Sequence, residues 1–388
     1  MGCLLIFIHQ DSLGQGKKRD HDKNFHSKET VEKYRYKSVH QVKKINLPGI
    51  ENRKAKNIIL MIGDGMGTSQ IHAGMIANKG ELYLGQFPYA GFITTHSANE
   101  LITDSAAGAT AFATGEKTDN GMLGVNPDNE PLQTIMEIAE YKGLGTGLVV
   151  TSTVTHATPA AFAAHQFSRH YYEQIASDLI RNDIDVFIGG GRSHFTDRLD
   201  RLNLLEILKE RNYTVVDTVI DLEAAHGDKI AGLLYYDNPP SILDGRGDML
   251  LKATKKSIET LGRNDNGFMM MIESSQIDWG NHQNNILYQT EEMLDFDIII
   301  GHVLEFAAMD GETLVIVTSD HETGGLAISG GNLKKGIVHG DYTTNGHTGV
   351  MVPVFAYGPS ADLFTGIFDN TEIYDKMIEA FDWNGSKP

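Results

Sequence analysis

Short, wholly apolar runs that stop at glycine or an acid constrain this chain most. NIILMI (57–62) runs straight into GDGMG, FMMMIE (268–273) closes on Glu273, and ETLVIVTSD (312–320) ends on Asp320. Apolar runs of this length with no alternation suit strands buried on both faces, which occur in parallel sheets covered by helices on either side. Further strands are expected at AGFITTH (90–96), GTGLVVTS (145–152), DVFIGGG (185–191) and MVPVFAYGP (351–359). Helical patterns fall between them, at 68–78, from Ser105, at 131–142, 170–181, 201–211, 247–261 and 288–309. Alternating strands and helices predict an α/β fold, a three-layer sandwich whose central, mostly parallel β-sheet is flanked by helices. In such sheets ligands bind beyond the carboxyl ends of the strands. Three separate strands therefore deliver Asp64, Glu273 and the Asp320-His321 pair to one predicted edge.

Around those acids stand more potential metal ligands. Asp278 and His282 have the i, i+4 spacing that puts a carboxylate and an imidazole on one helical face, five residues after Glu273. His347 lies between glycines just before the last predicted strand. Mixed histidine and carboxylate ligands without thiolate suit catalytic zinc, and two such ions make a two-metal site. Glu273, Asp64 and a threonine would form a harder site suited to magnesium. The run LITDSAAGATAFATG (101–115) raises a separate question. Asp104 and Ser105 are ordinary helix N-cap residues, yet a serine hydroxyl at a helix N-terminus also sits where phosphate binds.

Charge narrows the partners. Formal net charge is −18, but residues 11–56 hold 13 of the 33 Lys and Arg against 6 acids, leaving about −25 on the rest. So acidic a body is a poor general partner for nucleic acid, and an anionic substrate would need metals or a placed arginine. The lone Cys3 permits no intrachain disulfide, and no apolar run approaches the ~20 residues of a membrane span. Residues 1–20 read as a signal remnant or disordered end, with Gly2-Cys3 leaving a lipid anchor open. Residues 21–55 read as a polar linker or arm, and 56–388 as one catalytic domain.

Six motifs in order, IGDGMG, TDSAAGATAFATG, THATPAAFAAHQFSR, IESSQIDWGNH, VTSDHETGG and GHTG, resemble those of the alkaline phosphatases. The resemblance is strongest to compact bacterial members and implies hydrolysis of small phosphate monoesters through a phosphoserine, with two Zn2+ and one Mg2+. It assigns Ser105 as nucleophile and Arg169 as the phosphate-binding arginine. Asp278, His282 and His347 take the first zinc; Asp320, His321 and Asp64 take the second. Asp64 also borders the magnesium site, which Thr158 and Glu273 complete. His156 and Trp279 stand near the metals where the best-known enterobacterial enzyme carries Asp and Lys. The family is usually homodimeric, and a periplasmic or secreted location follows from the same resemblance. Asp104 is either an N-cap or an orienter of Arg169.

Related metallohydrolases compete with this reading. A sulfatase would need a C/S-x-P-x-R context at Ser105, a diesterase would not need Arg169, and a phosphoglycerate mutase would carry a large inserted domain. A noncatalytic binding protein would not need nucleophile, arginine and ligands together. His165, His170 and His194 read as helix or surface histidines, the methionines 269–271 as a buried strand, and GGGR (189–192) as a turn.

Overall fold

NIILMIG forms β1 (Asn57–Gly63), and every residue of it is buried. Successive side chains on a strand face opposite ways. Ile58, Leu60 and Ile62 thus join one apolar core and Ile59 and Met61 the other. A sheet with a core on each face is the middle of three layers. The computed structural model describes residues 28–50 and 54–383. The expectations for residues 1–20, and those for 21–27, 51–53 and 384–388, lie outside the described residues.

Among the described residues, ten strands make the central sheet. These are β1, β2 (Tyr89–Thr94), β3 (Gly145–Thr153), β4 (Val186–Gly190), β5 (Thr214–Val216), β6 (Ile230–Leu233), β7 (Phe268–Ser274), β8 (Thr313–Thr318), β13 (Val352–Tyr357) and β14 (Gly366–Asp369). Between β8 and β13 come four short strands: β9 (Glu322–Thr323), β10 (Leu326–Asn332), β11 (Ile337–Tyr342) and β12 (His347–Thr348). The order across the sheet is β14-β2-β13-β8-β1-β7-β3-β4-β6-β5. Of these ten, only β13 runs against its neighbours β2 and β8. The sheet is therefore mostly parallel, as expected.

Register decides where the chemistry lies. Ile62 of β1 pairs with Glu273 of β7 on one side and Thr318 of β8 on the other. The three central strands end level, so Asp64, Glu273 and Asp320 emerge side by side. The Ser105–Thr114 and Ala157–Ala163 helices cover one face; the Thr68–Ala77, Met249–Leu261 and Ile286–Asp310 helices cover the other. All ten residues of the Ser105–Thr114 helix are buried. Its small side chains matter at Gly108, where a Cβ would stand 3.2 Å from both the Cβ and carbonyl oxygen of Asp320. The helix is pressed directly against the loop after β8.

Several elements differ from the sequence expectation. The helix expected over 131–142 starts at Ile135, behind a capping box of Thr134 and Glu137, because Pro131 instead forms an extended bridge to Val125. The helix at 201–211 likewise starts at Leu204, capped by Asn203. The Ala157–Ala163 helix, the edge strands β5 and β14, strand β6 beside β5, and the closing Glu372–Ala380 helix have no counterpart in the expected elements. Residues 34–50, read as a polar arm, lie along the body. Tyr34 Oη and the backbone N–H groups of Lys37 and Ser38 all donate to Glu291, and His40 pairs with Asp297 at 2.8 Å. Among the described residues no helix is long and apolar enough to cross a membrane.

Candidate active site

Four carboxylates meet at the carboxyl end of the sheet, and all are buried: Asp64, Glu273 and Asp320 fully, Asp278 nearly so. Burying a carboxylate without a partner costs several kcal/mol. Yet both side-chain oxygens of Asp64, Oδ2 of Asp320 and Oε1 of Glu273 have no hydrogen-bond partner, nor do Thr158 Oγ1 and His156 Nδ1. Such a concentration of buried oxygen and nitrogen lone pairs suits divalent cations.

The histidines are oriented to match. His282 Nδ1 faces the carbonyl of Asn345 at 2.6 Å, and His347 Nδ1 faces that of Thr103 at 2.9 Å. A carbonyl only accepts, so each Nδ1 carries a proton and each Nε2 is the ring atom turned toward the acids. Those Nε2 atoms lie 3.2 Å apart and within 3.2 and 3.7 Å of the Asp278 carboxylate. On the neighbouring loop His321 Nε2 stands 3.2 Å from Asp320 and 3.5 Å from Asp64. Its Nδ1 is 3.2 Å from Thr323 Oγ1, which donates to Asp278 at 2.5 Å. Oδ1 of Asp320 accepts from the N–H of Gly65 and of His321, turning Oδ2 inward. Gly65 needs its positive φ of 69°, and a Cβ there would sit 2.7 Å from Thr323 Oγ1.

Three groups of side chains could hold a metal ion, each with donor atoms within 4.8 Å of one another: Asp278-His282-His347, Asp64-Asp278-His321 and Asp64-His156-Glu273. The first brings together the three residues grouped from the sequence. The second holds Asp64 and His321 with Asp278 rather than Asp320. In the third, His156 offers a ring nitrogen directly, where sequence reasoning placed it only nearby. Trp279 packs edge-on against His156, ring centroids 6.1 Å apart. Ser275 donates to Glu273 Oε2 at 2.7 Å, holding that carboxylate in place.

Burial is the main influence on protonation in the cluster. Burial, then the neighbouring Asp320 and Asp278, push Asp64 well above the usual carboxylate range. Burial lifts Asp320 to about 6 and Glu273 to about 7. Burial also drives His321 well below an ordinary imidazole and His156 down to about 3. Asp278 is the exception. Burial opposes its charge, but the bond from His282 and the nearby imidazoles hold it below the usual range, while His282 rises to about 9 through that same bond. Dications would reverse the penalty on each acid at once.

Ser105 opens its helix beside this cluster, with Oγ 3.3 Å from His321 Nε2. Asp104 performs both functions considered for it. One oxygen caps the helix by accepting from Ala107 N at 3.0 Å, and the other accepts from Arg169 at 2.9 Å. The guanidinium is thereby tethered one residue from the serine, on the chain after the Ala157–Ala163 helix. Of the residues passed over, His165 bridges Gly124 and Glu137, and His194 stacks on Tyr172 and bonds Thr155. The threonine missed, Thr323, lies two residues after His321 in a short strand, a spacing that shares one face and was there to be read.

A serine at a helix N-terminus, an arginine beside it and clustered side chains that could hold metal ions meet at one end of the sheet. Comparison with known proteins makes this specific. A sequence profile described as alkaline phosphatase matches residues 55–339 and 334–382. Alkaline phosphatase 3 of Bacillus subtilis (strain 168) is 33% identical over 415 residues, spanning 85% of this chain and 89% of that protein. The structure of alkaline phosphatase from the Antarctic bacterium TAB5 superposes with a TM-score of 0.82 at 43% identity, covering 85% of this chain and 99% of that one. A His-to-Asp variant of the TAB5 enzyme, described with Mg bound in its M3 site, gives 0.81 at 41% identity over 86% and 100% of the two chains. The chain belongs to the alkaline phosphatase family. It is a phosphatase, an enzyme that hydrolyses phosphate monoesters.

Proposed function

We propose that hydrolysis proceeds through a phosphoserine at Ser105, on a centre that takes two zinc ions and one magnesium ion. The observation that carries this is the Ser105 hydroxyl beside His321 Nε2, at the rim of a pocket of orphaned carboxylate oxygens. Asp278, His282 and His347 would hold one zinc, and Asp64 and His321 with Asp320 the other. Imidazole and carboxylate without thiolate suit catalytic zinc. Asp64, Glu273 and Thr158 would hold magnesium, whose preference is for oxygen.

Dications held by these residues would supply Lewis acidity for the serine hydroxyl, the attacking water and the departing oxygen. The residues do the rest. Arg169 grips two phosphoryl oxygens with its planar fork, a bidentate hold that lysine cannot reproduce. Asp104 keeps that fork over the serine. N–H groups of the first helical turn point at the same anion. Ser105 Oγ gives its proton to solvent and forms its bond to phosphorus as the bond to the alcohol oxygen breaks, and the alcohol oxygen takes a proton from solvent as it leaves. Water then attacks phosphorus on the opposite side from Ser105 Oγ, losing a proton to solvent as the P–Oγ bond breaks, and Ser105 Oγ is reprotonated as phosphate is freed.

His156 bears on the third site. Imidazole in a donor set favours zinc over magnesium, and the Antarctic relative described with Mg in its M3 site carries an acid substituted for a histidine. Here His156 weakens magnesium selectivity. The reading extends to a catalytic domain over 56–388, a homodimer, and a periplasmic or secreted location.

The test is p-nitrophenyl phosphate hydrolysis from pH 7 to 10 before and after chelation. Activity lost to chelator and restored by zinc plus magnesium supports the proposal. A folded, zinc-loaded sample with no turnover refutes it.

A further inference from the structure

Beside the metal ligands lies a buried acid outside every ligand group. Glu322 directly follows His321 and is 4% exposed, yet it belongs to none of the three groups. Its carboxylate turns away from them. Oε1 accepts from Gln70 Nε2 at 2.7 Å and from the N–H of Leu326 at 3.2 Å; Oε2 accepts from the N–H of Gly325 at 3.2 Å and from the Thr348 hydroxyl. All four donors are neutral, so no cation among them accounts for burying this charge. The stem packs tightly as well: a Cβ on Gly67 would lie 2.5 Å from Glu322 Cγ.

What these partners belong to gives the function. Thr348 follows the ligand His347, and β12 pairs with β9 so that Thr348 faces Glu322 and His347 faces Thr323. Gln70 sits in the first turn of the Thr68–Ala77 helix, which the Asp64–Gly67 turn feeds. The same Gln70 amide donates to the Thr323 carbonyl at 2.9 Å and reaches Asn281 Oδ1 at 3.4 Å, on the helix that carries Asp278 and His282. One carboxylate and one amide thus touch all four segments that supply ligands to the two proposed zinc ions. β9 and β12 are only two residues each; a pairing that short needs side-chain ties to hold its spacing.

We infer that Glu322, with Gln70 and Thr348, is a positioning residue that sets the separation of the His321 loop and the His347 strand, and so the retention of metal at both zinc sites. This rests on the metal-site reading of the proposed function. A carboxylate is required because Glu322 only accepts. In glutamine the new NH2 group would oppose Gln70 Nε2 and Leu326 N on one side, or Gly325 N on the other. Glutamine keeps the length and volume of the side chain, so Glu322→Gln isolates the loss of an acceptor.

The experiment starts from zinc- and magnesium-loaded holoenzyme and measures the rate of zinc release to a chromogenic chelator, with kcat and KM for p-nitrophenyl phosphate alongside. Loss of a group that orients ligands typically costs 10- to 100-fold in metal affinity or activity. Glu322→Gln and Thr348→Val are expected to release zinc at least about tenfold faster, with kcat reduced until zinc is supplied in excess and KM changed less. Excess zinc rescue is the signature that a purely structural role would not show. Thr348→Val leaves the buried charge three of its four donors, so it remains informative if Glu322→Gln fails to fold. Wild-type release rates in both variants, or lost activity that zinc does not restore, overturn the inference. A wild-type enzyme that turns over but holds no zinc overturns the metal reading instead, so the two failures are distinct.

Discussion

Asp104 is the most economical place to test how the serine and arginine are held, because its two oxygens do separable work. In Asp104→Asn one oxygen remains to cap the helix at Ala107 N, and Asn caps as well as Asp. The amide NH2 then faces the Arg169 guanidinium, donor against donor. A hydrogen bond to a charged group contributes about 1.5–3 kcal/mol. Both side chains are 20% exposed, so solvent screening favours the lower end, about 1.5 kcal/mol. If that energy holds Arg169 in its phosphate-binding pose, the inhibition constant for inorganic phosphate should rise about tenfold, since 1.4 kcal/mol is one decade. The same loss should lower Tm by about 2 °C in a chain of this size. Asp104→Ala loses the cap too, worth ~1 kcal/mol, and should lower Tm by about 1 °C more. Arg169→Ala sets the ceiling of the phosphate effect. Phosphate inhibition assays and thermal melts on the three variants separate the contributions. Wild-type phosphate inhibition in the Asp104→Asn variant, with inhibition of Arg169→Ala strongly weakened, would refute the tether.

Three further outcomes follow from the site. Ser105→Ala should abolish turnover while the protein still binds phosphate, and residual hydrolysis near the wild-type rate would sink the covalent route. His156→Asp should shift the third site toward magnesium, seen as a lower magnesium concentration for half-maximal activation; an unchanged titration removes His156 from that site. In metal-stripped protein, Glu273 and Asp320 have raised pKa values in the fold. The unfolded chain therefore releases those protons first, and stability present below about pH 4 is lost as pH rises through about 6 to 7. His282, raised to about 9, loses its contribution in the same direction between pH 6.5 and 9. Urea midpoints of the stripped protein should fall from pH 5 to pH 8, and zinc should reverse the trend because its ligands must be deprotonated. A midpoint that climbs with pH in the absence of metal contradicts these protonation states.

Strand-end acids were legible because a buried parallel strand is a short run with one possible exit, and Asp64, Glu273 and Asp320 stand at such exits. The i, i+4 pair Asp278-His282 was legible from helical period alone. His347 was named as a candidate, but its position beside Asp278 was not legible: its strand is two residues long and is placed by pairing with β9. Glu322 escaped notice for the same reason, since its partners Gln70, Gly325, Leu326 and Thr348 are joined to it by tertiary contact and a tight turn. The edge strand β5 and its neighbour β6 carry three and four residues, too few to show a period. The reversal of β13 also leaves no mark, because a strand buried on both faces reads alike in either direction. Asp104 posed a choice between two functions that the structure shows to be compatible, one per oxygen.

The most direct test of the central claim is to trap the covalent enzyme. Zinc-loaded protein is incubated with inorganic phosphate at mildly acidic pH, quenched in acid, digested and examined by mass spectrometry. The account predicts a single phosphoryl group on the peptide that carries Ser105, absent from Ser105→Ala. An active enzyme that never shows phosphate there, or shows it on another residue, contradicts it.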